Sequence, residues 1–342
     1  MSQYAASTYP GGPVPQKGKV KGWAIALIVI GSLILLGIMT LVLFIGYIAL
    51  SRSSSGPVYK GNDGYVAVLH IEGTITSGSP STSLLSGTST YDQSFLMSSV
   101  DSLMDDPDNK GIMLFIDTPG GEVYATDELY LKLEDYKETT GRPIYSYCAS
   151  MAASGGYYLA SASDRILMNR NCMTGSIGVT AGTFIDISGF LEKQGIKTTS
   201  IYVGKNKTMG SYFEGFTDEQ KAIYTGILQE TYDQFVQVVA DGRGMTVADV
   251  ETLADGRVYS PKQAVANGLV DEIMTYDDAR AAMLTDEGFT EATQFLDYYP
   301  AAASSLSDIV GIFADLKKSD LDSYLSHLDM PVNGPAYYYE GM

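Results

Sequence analysis

The sequence predicts an α/β domain built on a mostly parallel sheet and preceded by one N-terminal transmembrane helix. Three observations carry this. Apolar strand-like segments alternate with helical segments from residue 65 to 203, and helices of about ten to fifteen residues are long enough to be crossovers between parallel strands. Residues 23–50 are 28 consecutive positions without a charged side chain. The 342 residues are 45% hydrophobic, enough to bury a sizeable core.

At about 1.5 Å rise per residue the uncharged run makes about 42 Å of helix, more than the roughly 30 Å hydrocarbon core, and some tilt absorbs the excess. A cleavable signal peptide has a shorter apolar region, about 7 to 15 residues. Lys17, Lys19 and Lys21 precede the run and Arg52 follows it. The positive-inside rule then puts a disordered head, residues 1–22, in the cytoplasm and everything beyond the span outside it. Trp23 and Tyr47 fall near the two interfaces. Residues 51–63 read as a polar linker, 64–290 as the main extracytoplasmic domain, and 291–342 as a C-terminal helical segment and tail.

Within the main domain, Val, Leu and Ile content gives strands at 65–76, 110–117, 143–149 and 165–169, and another at 197–203. Helical periodicity marks 93–106, 126–138, a helix beginning near Ser154, and 186–195. Residues 77–90 read as a loop. After residue 216 the chain turns helical, with Thr217 and Gln220 spaced as a capping box and Gly242 as the stop. Shorter helices follow at 246–254, 261–267, 276–285 and 306–328. The aromatic tail is strand-like.

Composition excludes several classes. The net charge is −18, and the first 22 residues carry three lysines and no acid, so the remainder is more acidic still. Phosphate contacts need basic faces, so no nucleic-acid partner is expected. Cys148 and Cys172 are too few for a disulfide framework, although their spacing leaves one bridge open. No Cys/His cluster has metal-ligand spacing, so neither a metal nor a cofactor is expected.

The chemistry centres on "MAASGGYYLASAS", residues 151–163. Ser154 stands between a strand and a helix, among small residues, as a nucleophile would. Both histidines are poorly placed to activate it: His70 lies inside a strand and His327 in an acidic C-terminal segment. A lysine can replace histidine when burial disfavours its ammonium form. "IYVGKNKTMG" (201–210) ends a strand at a glycine and presents Lys205 and Lys207, which also read as solvated loop lysines. Stabilising an oxyanion needs backbone N–H groups. The "TPGG" turn offers Gly120 or Gly121, and Gly155 opens the helix after Ser154. "MTGSIGV" (173–179) places Ser176 between glycines, either to orient a lysine amine or as a plain turn residue.

Together these elements resemble the signal-peptide peptidase A family, membrane-anchored serine proteases of the Clp-protease/crotonase-like fold, a βαβ superhelix. The carrying motifs are "IDTPGGEVYATDELY", "SYCASMAASGGYYLASASDRILMNRNCMTGSIGV", "YVGKNKTMGSYFEGFTDEQK" and "DGRGMTVADVETLADGRVYSPKQAVANGLVDEI", over about residues 64–285. The resemblance makes 64–290 the protease domain, Ser154 the nucleophile, Lys207 the general base, Ser176 the serine beside the lysine, and Gly120, Gly121 and Gly155 the oxyanion region. It implies cleavage of remnant signal peptides and other apolar peptides at the outer membrane face. It also implies homo-oligomeric rings whose active sites can join adjacent subunits, with a C-terminal segment able to occupy the substrate groove. There are departures. Thr118 stands where the family usually has Ser, Phe115 where it often has Arg, and Asp117 where it often has Asn. The proline that often follows the lysine element is absent, which keeps Lys205 as an alternative base. Two other readings of the same fold are a crotonase-type acyl-thioester enzyme and a non-catalytic membrane scaffold.

Overall fold

The first strand, β1 (Tyr65–Glu72), is buried on both faces, as a strand inside a parallel sheet must be. Val66 and Val68 face one apolar cluster, and Ala67, Leu69 and Ile71 face the other. The computed structural model describes residues 61–77 and 91–300, with Leu36, Met39, Thr40, Tyr59 and the backbone of 336–338. The chain divides into two compact units, residues 1–53 and 54–342. Of the first unit, Leu36, Met39 and Thr40 are helical and exposed. The rest of the span expected at 23–50 lies outside the described residues, as do the head and the helix expected at 306–328. No helix among the described residues is long and apolar enough to cross a membrane.

In the second unit, α1 (Gln93–Asp105) starts at Asp92, whose side chain accepts from the Phe95 N–H, and buries Leu96, Val100 and Leu103 along one face. Then come β2 (Asn109–Thr118), the short β3 (Gly120–Glu122), α2 (Val123–Thr140), β4 (Ile144–Ala153) and α3 (Gly155–Ala160). β5 (Arg165–Met168), β6 (Met173–Gly175) and α4 (Ser188–Lys193) follow. The C-terminal half holds α5 (Asp218–Arg243), α6 (Val247–Leu253), β7 (Val258–Tyr259), α7 (Pro261–Ala266), β8 (Glu272–Ile273), α8 (Tyr276–Asp286), β9 (Gln294–Tyr298) and β10 (Ala336–Tyr338).

The main sheet runs β7-β6-β4-β2-β1-β9, with β5 joining β4 and β8. All its pairs are parallel except β6–β7. β4 is the hinge of this arrangement. Its residues 145–148 pair with β5 and its residues 151–153 pair with β6 on the same edge.

Three expectations are corrected. Residues 197–203 form no strand; Ile201 and Val203 are 95% and 98% exposed. A strand needs a neighbour for its backbone groups, and the described residues supply none there. β9 lies beyond residue 290 and completes the sheet on β1; its sequence "QFLDY" has too little alternation to announce a strand. Gly242 does not stop α5, which ends at Gly244 with φ 60°. A Cβ on Gly242 would sit 2.1 Å from the Ser161 carbonyl oxygen, so this glycine lets α5 press against the end of α3. The Thr217–Gln220 capping box forms as the spacing predicts.

Candidate active site

Ser154 closes β4 and caps α3 with φ 54° and ψ −118°. Among the described residues the only non-glycine residues with positive φ are Ser154 and Ser176. Such backbone costs about 1–3 kcal/mol per residue and persists only where its surroundings enforce it. Here the enforcement is visible. The Ser154 N–H donates to the Gly175 carbonyl at 2.7 Å, its own carbonyl accepts from the Tyr158 N–H at 2.9 Å, and the Ser176 N–H donates to the Arg257 carbonyl at 2.8 Å. The two strained serines therefore sit at the ends of neighbouring strands, β4 and β6.

The Ser154 side chain is fully buried, and its Oγ has no hydrogen-bond partner among the described residues. Leaving a buried hydroxyl unsatisfied costs about 1–3 kcal/mol. Strain and an orphaned polar atom thus coincide on one residue.

The glycine turn lies beside it. A Cβ on Gly155 would be 3.4 Å from the Gly121 nitrogen and 2.8 Å from Thr126 Oγ1. Thr118 Oγ1 donates to the Gly73 carbonyl and accepts from the Gly120 N–H at 3.0 Å, so the Gly120 amide is already used. The Gly120 carbonyl and the Glu122 N–H both bond Ile75, at 2.9 and 2.8 Å. Alternation along a strand then turns the Gly121 N–H to the opposite edge of β3. That edge carries β10, paired antiparallel with Tyr337 opposite Gly121 and Tyr338 opposite Gly120. The tail strand thus adds to the strand that bears the glycine pair and not to the main sheet. α3 approaches closely because residue 156 is glycine: a Cβ there would lie 2.6 Å from Thr118 Cγ2.

Lys207 is not part of this cluster in the single chain. It is exposed, and its side chain makes no hydrogen bond or ion pair among the described residues. Lys205 pairs with Glu219, which Asn206 also contacts at 3.3 Å. That pair lowers the Glu219 carboxyl, first through the Lys205 hydrogen bond. Both lysines lie on an arm, residues 183–216, whose root is held to α5 by packing among Phe184, Phe216 and Tyr224. Beyond that root the arm exposes Phe190, Ile201 and Val203. An open cleft of about 570 Å³ adjoins Ser176, lined among others by Val179, Gln229, Tyr232 and Glu251.

The other candidates resolve into structural roles. His70 Nδ1 is 2.9 Å from Glu72 and Nε2 is 2.8 Å from Asp297, and the ring stacks on Tyr299 at 4.3 Å; His327 lies outside the described residues. Cys148 and Cys172 are both free and buried. Burial pushes the Cys172 thiol up to about 12 and Cys148 well above its usual value, so both are poor nucleophiles. Among the described residues no group of acidic, His or Cys side chains is arranged to hold a metal ion. Thr118 and Asp117, which the sequence marked only as departures from the family pattern, have structural roles: Thr118 clamps the glycine turn, and Asp117 Oδ1 accepts from the Met151 N–H at 3.1 Å and from Ser150 Oγ.

Comparison with known proteins assigns the chain to a family. The model of peptidase family S49 matches residues 137–289. A protein of Enterococcus faecium provisionally named signal peptide peptidase SppA is 33% identical over 259 residues, covering 74% of this chain and 75% of its own. A protein of Methanocaldococcus jannaschii provisionally named protease MJ0651 is 35% identical over 188 residues, 55% of this chain and 60% of its own. Protease 4 of Haemophilus influenzae is 27% identical over 268 residues, 78% of this chain and 42% of its own. This chain therefore spans three quarters of the first relative's length but less than two thirds of the other two. The chain belongs to the signal-peptide peptidase A family, within peptidase family S49. It is a protease, and its α/β fold with a mostly parallel mixed sheet is consistent with that family.

Proposed function

We propose that the protein is a membrane-anchored serine endopeptidase that uses Ser154 as nucleophile and Lys207 as general base. It degrades remnant signal peptides and other apolar peptides at the extracytoplasmic face of the membrane. The observation that carries the reading is the Ser154 side chain: buried, in positive-φ backbone, with an unpartnered Oγ beside the Gly121 and Gly155 amides. In the reaction, Ser154 Oγ attacks the scissile carbonyl and the lysine amine takes its proton. The Gly121 and Gly155 N–H groups, fixed in place, donate to the developing oxyanion. The same amine then protonates the leaving nitrogen, and water releases the acyl group by the reverse sequence. Gly120 serves by shape, since its amide is bound to Thr118. The substrate adds antiparallel to the edge of β3 that faces away from Ile75, the edge on which β10 pairs.

An ammonium in water holds its proton at neutral pH, so the base must be dried before it can act. Lys207 is exposed in the single chain and sits on an arm rich in exposed apolar side chains. We therefore read the working enzyme as a homo-oligomeric ring. The arm of one subunit carries Lys207 to Ser154 and Ser176 of the next, and the cleft beside Ser176 provides room for it. Ser176 orients the amine.

Mixed assembly tests this reading. Lys207→Ala alone is expected to lose at least about a thousandfold in peptide hydrolysis. Co-assembling it in equal amounts with Ser154→Ala restores about one quarter of the sites, because a head-to-tail interface pairs an intact serine with an intact neighbouring lysine at random. Activity of Lys207→Ala close to wild type would remove Lys207 from the mechanism. No recovery in assemblies shown to contain both variants would place the lysine in the same chain as its serine.

A further inference from the structure

The pairing of β2 with β4 contains an irregularity at the point where it matters for the site. From Ile112 opposite Ile144 to Ile116 opposite Cys148, the two strands advance residue for residue. The next pair is Thr118 opposite Ala152. Two residues of β2 therefore span four of β4, and Ala149, Ser150 and Met151 bulge opposite Asp117 alone. A bulge leaves backbone groups without ladder partners and re-aims the strand beyond it. The Met151 N–H is satisfied by Asp117 Oδ1 at 3.1 Å, and the Ser150 hydroxyl donates to the same oxygen. The Asp117 carbonyl is itself held by the Gly73 N–H at 3.1 Å. The strand beyond the bulge is Ala152–Ala153, which ends at Ser154. The residue after Asp117 is Thr118, which clamps the glycine turn through the Gly120 N–H. Consecutive residues of β2 thus hold the two halves of the site.

We propose that Asp117 is a positioning residue for the reaction: its Oδ1 braces the β4 bulge and so sets the separation between Ser154 and the Gly121–Gly155 amides. This rests on the assignment of Ser154 as nucleophile. What the bulge requires is an acceptor at this reach, and the negative charge is incidental. An asparagine carbonyl supplies the same acceptor, an alanine supplies none, and a glutamine carries it one methylene too far.

The test compares Asp117→Ala, Asp117→Asn and Asp117→Gln in the full-length assembled protein, with Ser154→Ala as reference and a fluorogenic apolar peptide as substrate. A displacement of about 1 Å in a reacting group can cost about a hundredfold in rate. Asp117→Ala is expected to lower kcat by about ten- to a hundredfold with KM within about twofold. Asp117→Asn should stay within about threefold of wild type, and Asp117→Gln should fall at least about tenfold below Asn. Wild-type kcat in Asp117→Ala, or an Asn variant as impaired as Ala, overturns the proposal. If Asp117→Ala does not assemble, the Asn–Gln comparison decides, and equal rates for those two overturn it. An inactive wild type, or a Ser154→Ala as active as wild type, would instead defeat the assignment of the nucleophile.

Discussion

Ser154→Ala is expected to lower kcat/KM toward a peptide by at least about ten-thousandfold while leaving the fold as stable as before, or slightly more so. The kinetic half follows from the role: without the hydroxyl no acyl-enzyme forms, and what survives is the small background that binding and oxyanion donors give on their own. The stability half follows from the geometry. Ser154 Oγ has no hydrogen-bond partner to lose, and its burial without one costs about 1–3 kcal/mol, which alanine relieves. The positive φ is as unfavourable for alanine as for serine, so that cost is unchanged. A structural serine would behave in the opposite way, losing stability on removal and leaving hydrolysis intact. Thermal unfolding measured beside peptide turnover separates the two roles.

The second large effect belongs to Gly121. A Cβ at this position would lie 1.9 Å from the Ile75 carbonyl oxygen. Neither partner has a flexible end to move, because the clash is with backbone already bonded to Gly120 and Glu122. Gly121→Ala must therefore push β3 off Ile75 and carry the Gly121 amide away from Gly155. Losing one oxyanion donor costs about a hundred- to a thousandfold in kcat, and that is the expected loss. Because β3 is three residues long and outside the main sheet, the far-ultraviolet circular dichroism of the variant should match wild type. A Gly121→Ala variant within threefold of wild-type kcat would show that this amide takes no part.

Much of the candidate site is legible from the chain alone because its parts are local. A serine among small residues between a strand and a helix, or a glycine pair after a buried strand, is visible without any long-range contact. Local pattern could not tell which of the two glycine amides Thr118 takes. That depends on Thr118 Oγ1 binding Gly120 and on Ile75 fixing the alternation of β3. Nor could it show that Lys205 pairs with the Glu219 carboxylate, fourteen residues away, while the Lys207 side chain has no such partner among the described residues. The bulge at Ala149–Met151 was hidden because the strand expected at 143–149 stops where the bulge begins, and only the partner strand reveals the extra residues.

The fold shows the same division. Strands β1, β2 and β4 announce themselves by uninterrupted apolar content, as strands buried on both faces do. β6, β7 and β8 are two or three residues long and set by pairing alone. Residues 197–203 show the converse failure. Their β-branched content favours extended backbone, but propensity cannot supply a partner. The exposed Ile201 and Val203 are what a strand former looks like when it finds no pairing partner among the described residues.

The most direct measurement is the site of covalent labelling by a fluorophosphonate in the assembled full-length protein, read by mass spectrometry of the digested adduct. The expected result is a single adduct on the peptide bearing Ser154, absent from Ser154→Ala and formed far more slowly in Lys207→Ala. An adduct on any other residue, or none on a well-assembled wild-type protein, would contradict it.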